Sequence, residues 1–558
     1  MNTTHSGGAR WPIGAGGFLL RMPALAGLAL LALVGFWLGS AHQPLFDLDE
    51  GAFSEATLEM LRSGNYLVTT LDGAPRYDKP MFSYWAQGLA VSAFGVHEFS
   101  FRLPSMIAAS LWLWLVFGFV RAREAMPQAA WVSAAALALG LIPALIGHAA
   151  TADALLNLFI AAAGLDLWRH FESGRRAPLL RAALFIGLGV LTKGPIAVAV
   201  PALASLLWAL TNRRLPTWLR AAFDWRAWLV VLAVVLPWGV TCWLADNGDF
   251  IRHFLFDHNL NRYSRTMEGH GGHLWYYVAT LPLIVAPFTA LLPGAFRRGI
   301  GGDALDRYCL CWFGVVLVMF SFSSTQLPHY LLYGTTPLFV LFGRNAARLP
   351  GRLALLLPGW ILLLLFASLP LWLPQVAATS RHAWDSAVLA GAVGAIDTGY
   401  VVITVVALLA GLAAWRLAPV VGLIAVGVAV QIALWLAVVP LIATGQQASV
   451  RDAALVAKAA GATVVTHSTR MPSFSVYRGA PTPAGLPAPG EWVFLRADYQ
   501  ADLQRKIDPA SLHEEFRRGG VLLLRRDAAA SPAPAPAPTA RATPESAPPG
   551  ANPPAPKP

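Results

Sequence analysis

We predict an all-α polytopic membrane protein, with about 13 transmembrane helices and a small α/β domain at its C-terminal end. Of the 558 residues, 56% are hydrophobic and only 13% are charged, about half the charged fraction of a soluble domain. Apolar runs long enough to cross a bilayer, about 20 residues each, recur between residues 22 and 441. Beyond them, residues 446–527 alternate short apolar runs with turn residues.

The net charge of +11 comes mainly from Lys and Arg in short segments between the apolar runs. That distribution is typical of cytoplasmic loops, so it indicates membrane orientation and argues against nucleic acid as a partner. The three cysteines, Cys242, Cys309 and Cys311, lie in or beside apolar runs without the spacing of a metal site. We predict that they are small core residues.

The chain divides into four parts by composition. Residues 1–21 are predicted to be a cytoplasmic N-terminus, because Arg10 and Arg21 precede the first span. The membrane domain is predicted at 22–445, and its first span is retained because no small-residue cleavage site follows it. A small α/β domain follows at 446–527, and a Pro- and Ala-rich tail at 528–558 is predicted to be disordered.

Basic clusters order the spans by placing alternate loops on the inner side. The first outer loop is then 41–103, which is rich in acids. The run at 179–210 has basic residues on both flanks, so two passes are predicted there, broken by LTKGP at 191–195. Lys193 is therefore predicted at a hairpin tip near the outer face. The spans are predicted near 22–40, 104–120, two within 129–168, two within 179–210, and near 228–245, 273–293, 308–323, 330–342, 353–373, 400–415 and 420–441.

In the C-terminal domain a helix is predicted at 449–460 and strands at 462–467, 474–478, 491–496 and 520–525. The positive-inside pattern puts this domain on the outer face. Its own residues do not indicate a function.

Two segments of the first outer loop combine acids, bases and aromatics. The sequence DLDEGAF at 47–53 opens an amphipathic helix along the membrane surface, with Asp49 and Glu50 at its start. Helix capping is the alternative role for these acids. The sequence PRYDKPMFSYW at 75–85 precedes a second amphipathic segment, and its alternative role is an interfacial anchor.

Four further charges have a functional and a structural interpretation. Lys193 lies in an apolar run, where a charge costs several kcal/mol, on the order of 3 or more, unless it is paired or hydrated. The alternatives are a snorkelling side chain for Lys193, a membrane-edge anchor for Arg102, a solvated loop charge for Arg262 and a helix cap for Asp153.

A series of motifs resembles the aminoarabinose transferases, which belong with the protein O-mannosyltransferases to the type-C membrane glycosyltransferases. The resemblance covers about 45–527. The family's YFEKPP is RYDKPM here, at 76–81. That change shortens the acid by one methylene and loses a proline. The matching segments are DE at 49–50, RYDKP at 76–80, FSFRLPS at 99–105, TADA at 151–154, LTKGP at 191–195, FDHNLNRY at 256–263, HGGHLWYY at 270–277 and QLPHY at 326–330.

The resemblance implies a multi-pass enzyme of the bacterial inner membrane with its active site on the periplasmic side. It would move a sugar from a polyprenyl-phosphate donor to lipid A or another periplasmic acceptor, in contact with membrane lipids. Aminoarabinose-type transfer to lipid A is the favoured reaction. Transfer to protein Ser/Thr hydroxyls, a transporter and a catalytically inactive lipid-binding relative remain alternatives, although no inverted repeat of the kind many transporters have is found.

Roles follow from what the chemistry requires. A phosphate leaving group needs positive charge around its oxygens, and a carboxylate can take the proton of an attacking hydroxyl. The predicted catalytic residues are Asp49, Glu50 and Asp153; donor-phosphate binding is assigned to Tyr77, Lys79, Arg102, Lys193 and Arg262; supporting roles go to Asp78, His258, His270 and Tyr330. No cofactor is assigned, and a divalent metal ion held by Asp78 and His258 stays open.

Overall fold

The computed structural model describes residues 22–255 and 273–528 and is mostly helical. The helices up to the end of the membrane part are α1 (Met22–Ala32), α2 (Asp49–Ser63), α3 (Phe82–Phe94), α4 (Glu98–Arg121), α5 (Pro127–Leu139), α6 (Leu141–His148), α7 (Asp153–Ser173), α8 (Arg176–Lys193), α9 (Ile196–Thr211), α10 (Leu215–Ala222), α11 (Trp225–Asp246), α12 (Asp249–Leu255), α13 (Tyr276–Ile284), α14 (Leu292–Gly301), α15 (Ala304–Ser321), α16 (Thr335–Arg344), α17 (Arg352–Thr379), α18 (Ala383–Gly394), α19 (Thr398–Ala413), α20 (Pro419–Ala433) and α21 (Val439–Gln446).

Short irregular helices join several of these. Two π-helical turns, Leu33–Trp37 and Leu434–Val438, continue α1 and link α20 to α21. The 3₁₀ segments Phe288–Leu291, Pro328–Gly334 and Ala346–Arg348 lie between α13 and α17. Inside a membrane, prolines and bends leave backbone groups without an intrahelical hydrogen bond. Local π-helical and 3₁₀ segments and neighbouring helices can satisfy those groups.

Among the described residues, six helices are long and apolar enough to cross a membrane, or eight if each of two bent pairs is one span. Other predicted spans are shorter, such as α9 at 16 residues, or carry several charges, such as α7 and α8. The count of 13 spans therefore stays a prediction.

The break predicted at LTKGP is found: α8 ends at Lys193 and α9 begins at Ile196. The span predicted near 273–293 stays a prediction. This region contains α13 and the segment Phe288–Gly301, which are bent by 113° at a short break. Pro282, Pro287 and Pro293 fall in this region, where each removes a backbone donor.

The first outer loop folds into α2, a short antiparallel hairpin of β1 (Thr69–Leu71) and β2 (Ala74–Arg76), and α3. That α2 lies along the membrane surface stays a prediction, but the helix has no open face, because every residue from Glu50 to Met60 is buried in the protein. Its polar face is covered by protein, with Thr57 donating to Phe53 and Gln87 and Glu55 paired with Arg62.

The C-terminal part contains α22 (Ala448–Ala459), α23 (Ser473–Arg478), α24 (Gln500–Gln504) and a four-stranded sheet in the order β3 (Val464–Thr466), β4 (Trp492–Arg496), β6 (Val521–Arg526) and β5 (Leu512–Arg518). The β3–β4 pair is parallel and the other two are antiparallel. The strand predicted at 474–478 is wrong, because those residues form α23. Strand β5 was not predicted, since its alternation is dominated by charged residues.

The helix ends separate into two sides. Asp153, at the start of α7, contacts Lys193, at the end of α8, so the two helices are antiparallel. Their other ends carry Arg169 and Arg176, and Glu172 there pairs with Arg123. We call the first side the acid–lysine side and the second side the arginine side.

Candidate functional site

A cavity of about 640 Å³ opens on the acid–lysine side, between the membrane helices and the C-terminal part. Its floor carries Asp49, Asp78, Lys79, Asp153 and Lys193 of the charged groups that the sequence singled out. Its roof comes from the C-terminal part and is rich in hydroxyl groups. The floor includes Asp49, Arg76, Tyr77, Asp78, Lys79, Thr151, Asp153, Lys193, His329 and Tyr330, and the roof includes Thr466, Ser468, Thr469, Arg470, Met471 and Phe474.

A buried ion-pair network holds Lys193 at this floor. Its Nζ donates to Asp153 Oδ1 at 2.6 Å and to the Tyr333 hydroxyl at 2.9 Å. Tyr333 in turn donates to Asp153 Oδ1 at 2.6 Å, and His329 Nε2 lies 3.9 Å from Asp153 Oδ2. The lysine ammonium also lies 5.3 Å from the centre of the Tyr330 ring. Asp153 is thus the counter-charge of Lys193 at the start of α7.

A second charged chain runs along the segment after β2. Asp78 accepts from Lys79 Nζ at 2.7 Å and from Arg76 Nη2 at 3.1 Å. Lys79 and Arg76 are buried, with the Arg76 guanidinium 5.3 Å from the Phe53 ring centre. Tyr77 stacks on His253 with ring centroids 5.0 Å apart. The side chain of Asp78 therefore positions both neighbouring cations.

Asp49 differs from the other acids of the floor. It is the first residue of α2 and is exposed at the cavity. Among the described residues its carboxylate makes no hydrogen bond or ion pair, and it does not cap its helix. A carboxylate without a protein partner can act on a bound group.

Glu50 and Arg102 pair with each other and do not line the cavity. Arg102 Nε and Nη2 donate to the two Glu50 oxygens at 2.9 and 2.7 Å. The other Arg102 hydrogen bonds go to the backbone carbonyls of Ser40, Gln43 and Pro44. Burial raises the pKa of Glu50, but Arg102 and two backbone N–H groups outweigh burial and hold the pKa below its usual range.

Hydrogen bonds from α23 and from Thr482 connect the C-terminal part to the first outer loop and to Glu98 of α4. Asp47 accepts from the backbone N–H and the hydroxyl of Ser473. Asp72 accepts from the Ser475 hydroxyl at 2.6 Å and from Thr482 N–H at 3.0 Å. The Tyr477 hydroxyl donates to Glu98 at 3.0 Å. Burial raises the pKa of Asp47 to about 7.

The cavity brings together most of the residues selected from the sequence, namely Asp49, Tyr77, Asp78, Lys79, Asp153, Lys193 and Tyr330. Arg262, His258 and His270 lie outside the described residues. The described part of the chain contains no group of three or more His, Cys, Asp and Glu side chains that could hold a metal ion.

Sequence reasoning missed Tyr333, Arg76 and the roof. Tyr333 follows Tyr330 by three residues on a 3₁₀ segment, and residues three apart share a face of such a helix. That spacing was a usable signal, had the segment been recognised as 3₁₀. The roof residues of 466–471 carry no comparable pattern, because only the docking of the C-terminal part brings them to the cavity.

Comparisons with known proteins agree on one kind of relative. A family model described as dolichyl-phosphate-mannose-protein mannosyltransferase matches residues 78–241. Two curated relatives carry the name undecaprenyl phosphate-alpha-4-amino-4-deoxy-L-arabinose arabinosyl transferase. The relative from Edwardsiella ictaluri is 29% identical over 332 residues, which are 58% of this chain and 60% of that protein. The second such protein of Sodalis glossinidius is 30% identical over 339 residues, again 58% and 60% of the two chains. The aligned part thus spans about three fifths of these relatives' length.

Among solved structures, ArnT from Cupriavidus metallidurans bound to undecaprenyl phosphate superimposes with a TM-score of 0.76 at 17% identity. The match covers 92% of this chain and 98% of that one. The same protein in its apo state gives a TM-score of 0.74. At this identity the likeness establishes a shared polytopic membrane fold.

Proposed function

We propose that this chain, which is related to the aminoarabinose transferases and to the protein O-mannosyltransferase family as its motifs predicted, transfers a sugar from a polyprenyl-phosphate carrier to an acceptor on the periplasmic side of the bacterial inner membrane. The favoured reaction is aminoarabinose-type transfer to lipid A. The observation that carries the proposal is the cavity where the Asp49 carboxylate, which has no partner among the described residues, shares one floor with Lys79 and Lys193.

The two lysines suit the donor phosphate. As the bond from the sugar to the phosphate breaks, negative charge grows on the phosphate oxygens and needs preorganised positive charge. Lys79 and Lys193 line the cavity and are buried or nearly so, and an ionic contact of a buried group is stronger than in water. Arg262 stays a proposed third cation.

The anionic partners of these lysines are positioning residues in the proposal. Asp153 and Tyr333 hold the Lys193 ammonium, and Asp78 holds Lys79. Without a counter-charge a buried lysine tends to lose its proton. Glu50 and Arg102 have a structural role, because their hydrogen bonds tie the start of α2 to α4 and to the end of the first span.

Asp49 is proposed to act on the acceptor. If the acceptor is a hydroxyl, the carboxylate accepts its proton during attack on the sugar carbon. If the acceptor is a phosphate, little base strength is needed and Asp49 orients the attacking oxygen. The hydroxyl-rich roof at 466–471 is proposed to contact the acceptor, since the floor opposite it holds the cations that suit the donor.

The test supplies the purified protein with polyprenyl-phosphate-linked aminoarabinose and lipid A and compares wild type with Asp49→Asn. We expect transfer to fall by at least about 100-fold in the variant, within the range for loss of a general base. Asp385→Asn, at an acid of α18 outside the cavity lining, is the control and should keep the wild-type rate. Transfer by Asp49→Asn at the wild-type rate would remove Asp49 from the mechanism.

The match of residues 78–241 to the mannosyltransferase model supports testing protein hydroxyls as a second class of acceptor. The same donor assay is run with a Ser/Thr-rich peptide in place of lipid A. Transfer to the peptide alone would move the proposal to protein hydroxyls.

A further inference from the structure

A second large cavity lies on the opposite side of the protein from the cavity that contains Asp49, Lys79 and Lys193. It has a volume of about 810 Å³ and runs between the bent segment α13–α14 and the first half of α17. We call it the arginine-side groove. Its lining is apolar along most of its length, with four prolines, at positions 282, 293, 350 and 358, and only four polar side chains, those of Thr289, Arg297, Asn345 and Arg348.

The bend explains why the groove exists. Because Phe288–Gly301 turns by 113° away from α13, its first turn, Phe288–Leu291, packs against α17 while α14 diverges, and a gap lined by both helices remains. Leu357 and Ile361 of α17 line this gap and are 43% and 56% exposed. In a membrane, hydrocarbon would cover these side chains.

The two ends of α15 show where the groove lies relative to the first cavity. This helix has 18 residues, about 27 Å at the usual rise, and its far end leads to Leu327 and His329 at the other cavity. Its near end follows α14, which carries Arg297. The groove's basic end therefore lies close to the membrane surface opposite the candidate active site.

The charges at that end are unevenly compensated. Arg298 pairs with Asp306 at 3.1 Å, and Arg344 pairs with Asp306 at 2.7 Å and with Asp303 at 2.6 Å. Arg297 and Arg348, which line the groove, make no ion pair within the described part of the chain. The groove thus combines an apolar trough with two guanidinium groups at one end that have no ion pair among residues 22–255 and 273–528.

We propose that the arginine-side groove binds an anionic phospholipid of the membrane leaflet opposite the candidate active site. An acyl chain occupies the trough, and the headgroup phosphate contacts Arg297 and Arg348, with the Asn345 amide beside them. Apolar lining alone gives no preference, because lipid tails are as apolar as the groove. Selectivity must come from the headgroup, where guanidinium groups suit phosphate oxygens.

The test measures lipid retention by the full-length purified protein. The protein is exchanged from detergent into nanodiscs containing phosphatidylglycerol and phosphatidylcholine with identical acyl chains, and bound lipid is quantified by native mass spectrometry. We expect phosphatidylglycerol to be retained over phosphatidylcholine by roughly 30-fold. That factor corresponds to about 1 kcal/mol for each of the two arginines. The double variant Arg297→Gln/Arg348→Gln should lose that preference.

Two further variants keep the outcome interpretable. Arg121→Gln/Arg416→Gln removes two exposed arginines that lie outside the groove lining and should leave the preference unchanged. Ala354→Phe places a ring in the trough without changing charge and should reduce retention of the anionic lipid. Equal retention of both phospholipids by wild type, equal losses in the two double variants, or displacement of phosphatidylglycerol by undecaprenyl phosphate would each overturn the proposal.

Discussion

Single side chains at the candidate site divide into groups that can act and groups that hold others in place. Asp49 and Glu50 are adjacent in sequence and chemically similar. Within the part of the chain that the structure describes, Asp49 lines the cavity without a polar partner, whereas Glu50 is buried against Arg102. One residue along α2 turns a side chain by about 100°, which is enough to separate the two roles. The sequence alone therefore does not show which of two adjacent acids faces a site and which forms a buried ion pair.

Tyr333 provides a test of positioning. In Tyr333→Phe, Asp153 loses a hydrogen-bond donor and Lys193 loses an acceptor, and such a bond to a charged group contributes about 1.5–3 kcal/mol. We expect kcat/KM for the carrier-linked sugar to fall about tenfold or more. The control is Tyr308→Phe, a buried tyrosine that donates to the Gly164 carbonyl near the arginine side. It should lose stability without losing rate. Equal rate effects would argue against positioning.

Asp47 gives a pH dependence. Burial raises its pKa from 3.8 to about 7, so the folded state binds a proton that the unfolded state has released between these values. Stability is then complete below about pH 4 and falls as the pH rises to about 7. Because Asp47 is partly exposed, we expect the loss to be only about 1–2 kcal/mol.

The measurement is thermal unfolding of wild type and Asp47→Asn between pH 4 and pH 8. Burial raises the pKa of Glu55 to about 8, so both proteins should lose stability as the pH rises, and wild type should lose more. Parallel curves would show that Asp47 does not titrate in this range.

The hairpin of α8 and α9 shows how one element places a side chain of the candidate site. Gly194 adopts a φ of +78° at the turn, and a Cβ there would meet the Phe254 ring at 2.4 Å. The close turn lets Lys193 end α8 at the level of Asp153. Predicting this break from Gly and Pro succeeded because the signal is local.

Gly194→Ala should therefore do more than strain the backbone. The matched control is Gly174→Ala, where φ is +67° and no described atom lies within 4 Å of the added Cβ. The Gly174 variant carries about 1–2 kcal/mol of left-handed strain. Gly194 has a ψ of −140°, in a region that is nearly exclusive to glycine, so its variant carries about 1–3 kcal/mol of backbone strain. The Gly194 variant should lose a further 1–3 kcal/mol or so from overpacking and most of its transfer activity. Equal melting temperatures and rates for the two variants would contradict this.

The whole molecule joins two parts of different composition around one cavity. Floor and roof are separated by more than 270 residues of sequence between Lys193 and Arg470, and the contacts of Asp47 and Asp72 with α23 fix their relation. If the roof contacts the acceptor, its variants should affect the acceptor alone.

Ser468→Ala/Arg470→Gln should therefore raise the acceptor KM about 30-fold while leaving the affinity for the carrier-linked sugar unchanged. This follows from the loss of a hydroxyl and a cation from the roof, each contributing about 1 kcal/mol. The control is Arg505→Gln in the same C-terminal part, whose side chain is 76% exposed outside the cavity lining. A rise in donor KM would place the roof in donor binding instead.

The amino-acid sequence alone determined the membrane class, the break at Lys193, the family resemblance and most residues of the floor. These features rest on composition, on charges flanking apolar runs and on short motifs, all of which are local. The tertiary structure alone decided that α2 is buried, that Glu50 neutralises Arg102 while Asp153 neutralises Lys193, and that the C-terminal part roofs the cavity. Those outcomes depend on which distant groups meet in space, because burial and charge pairing are properties of the packed chain and not of its order.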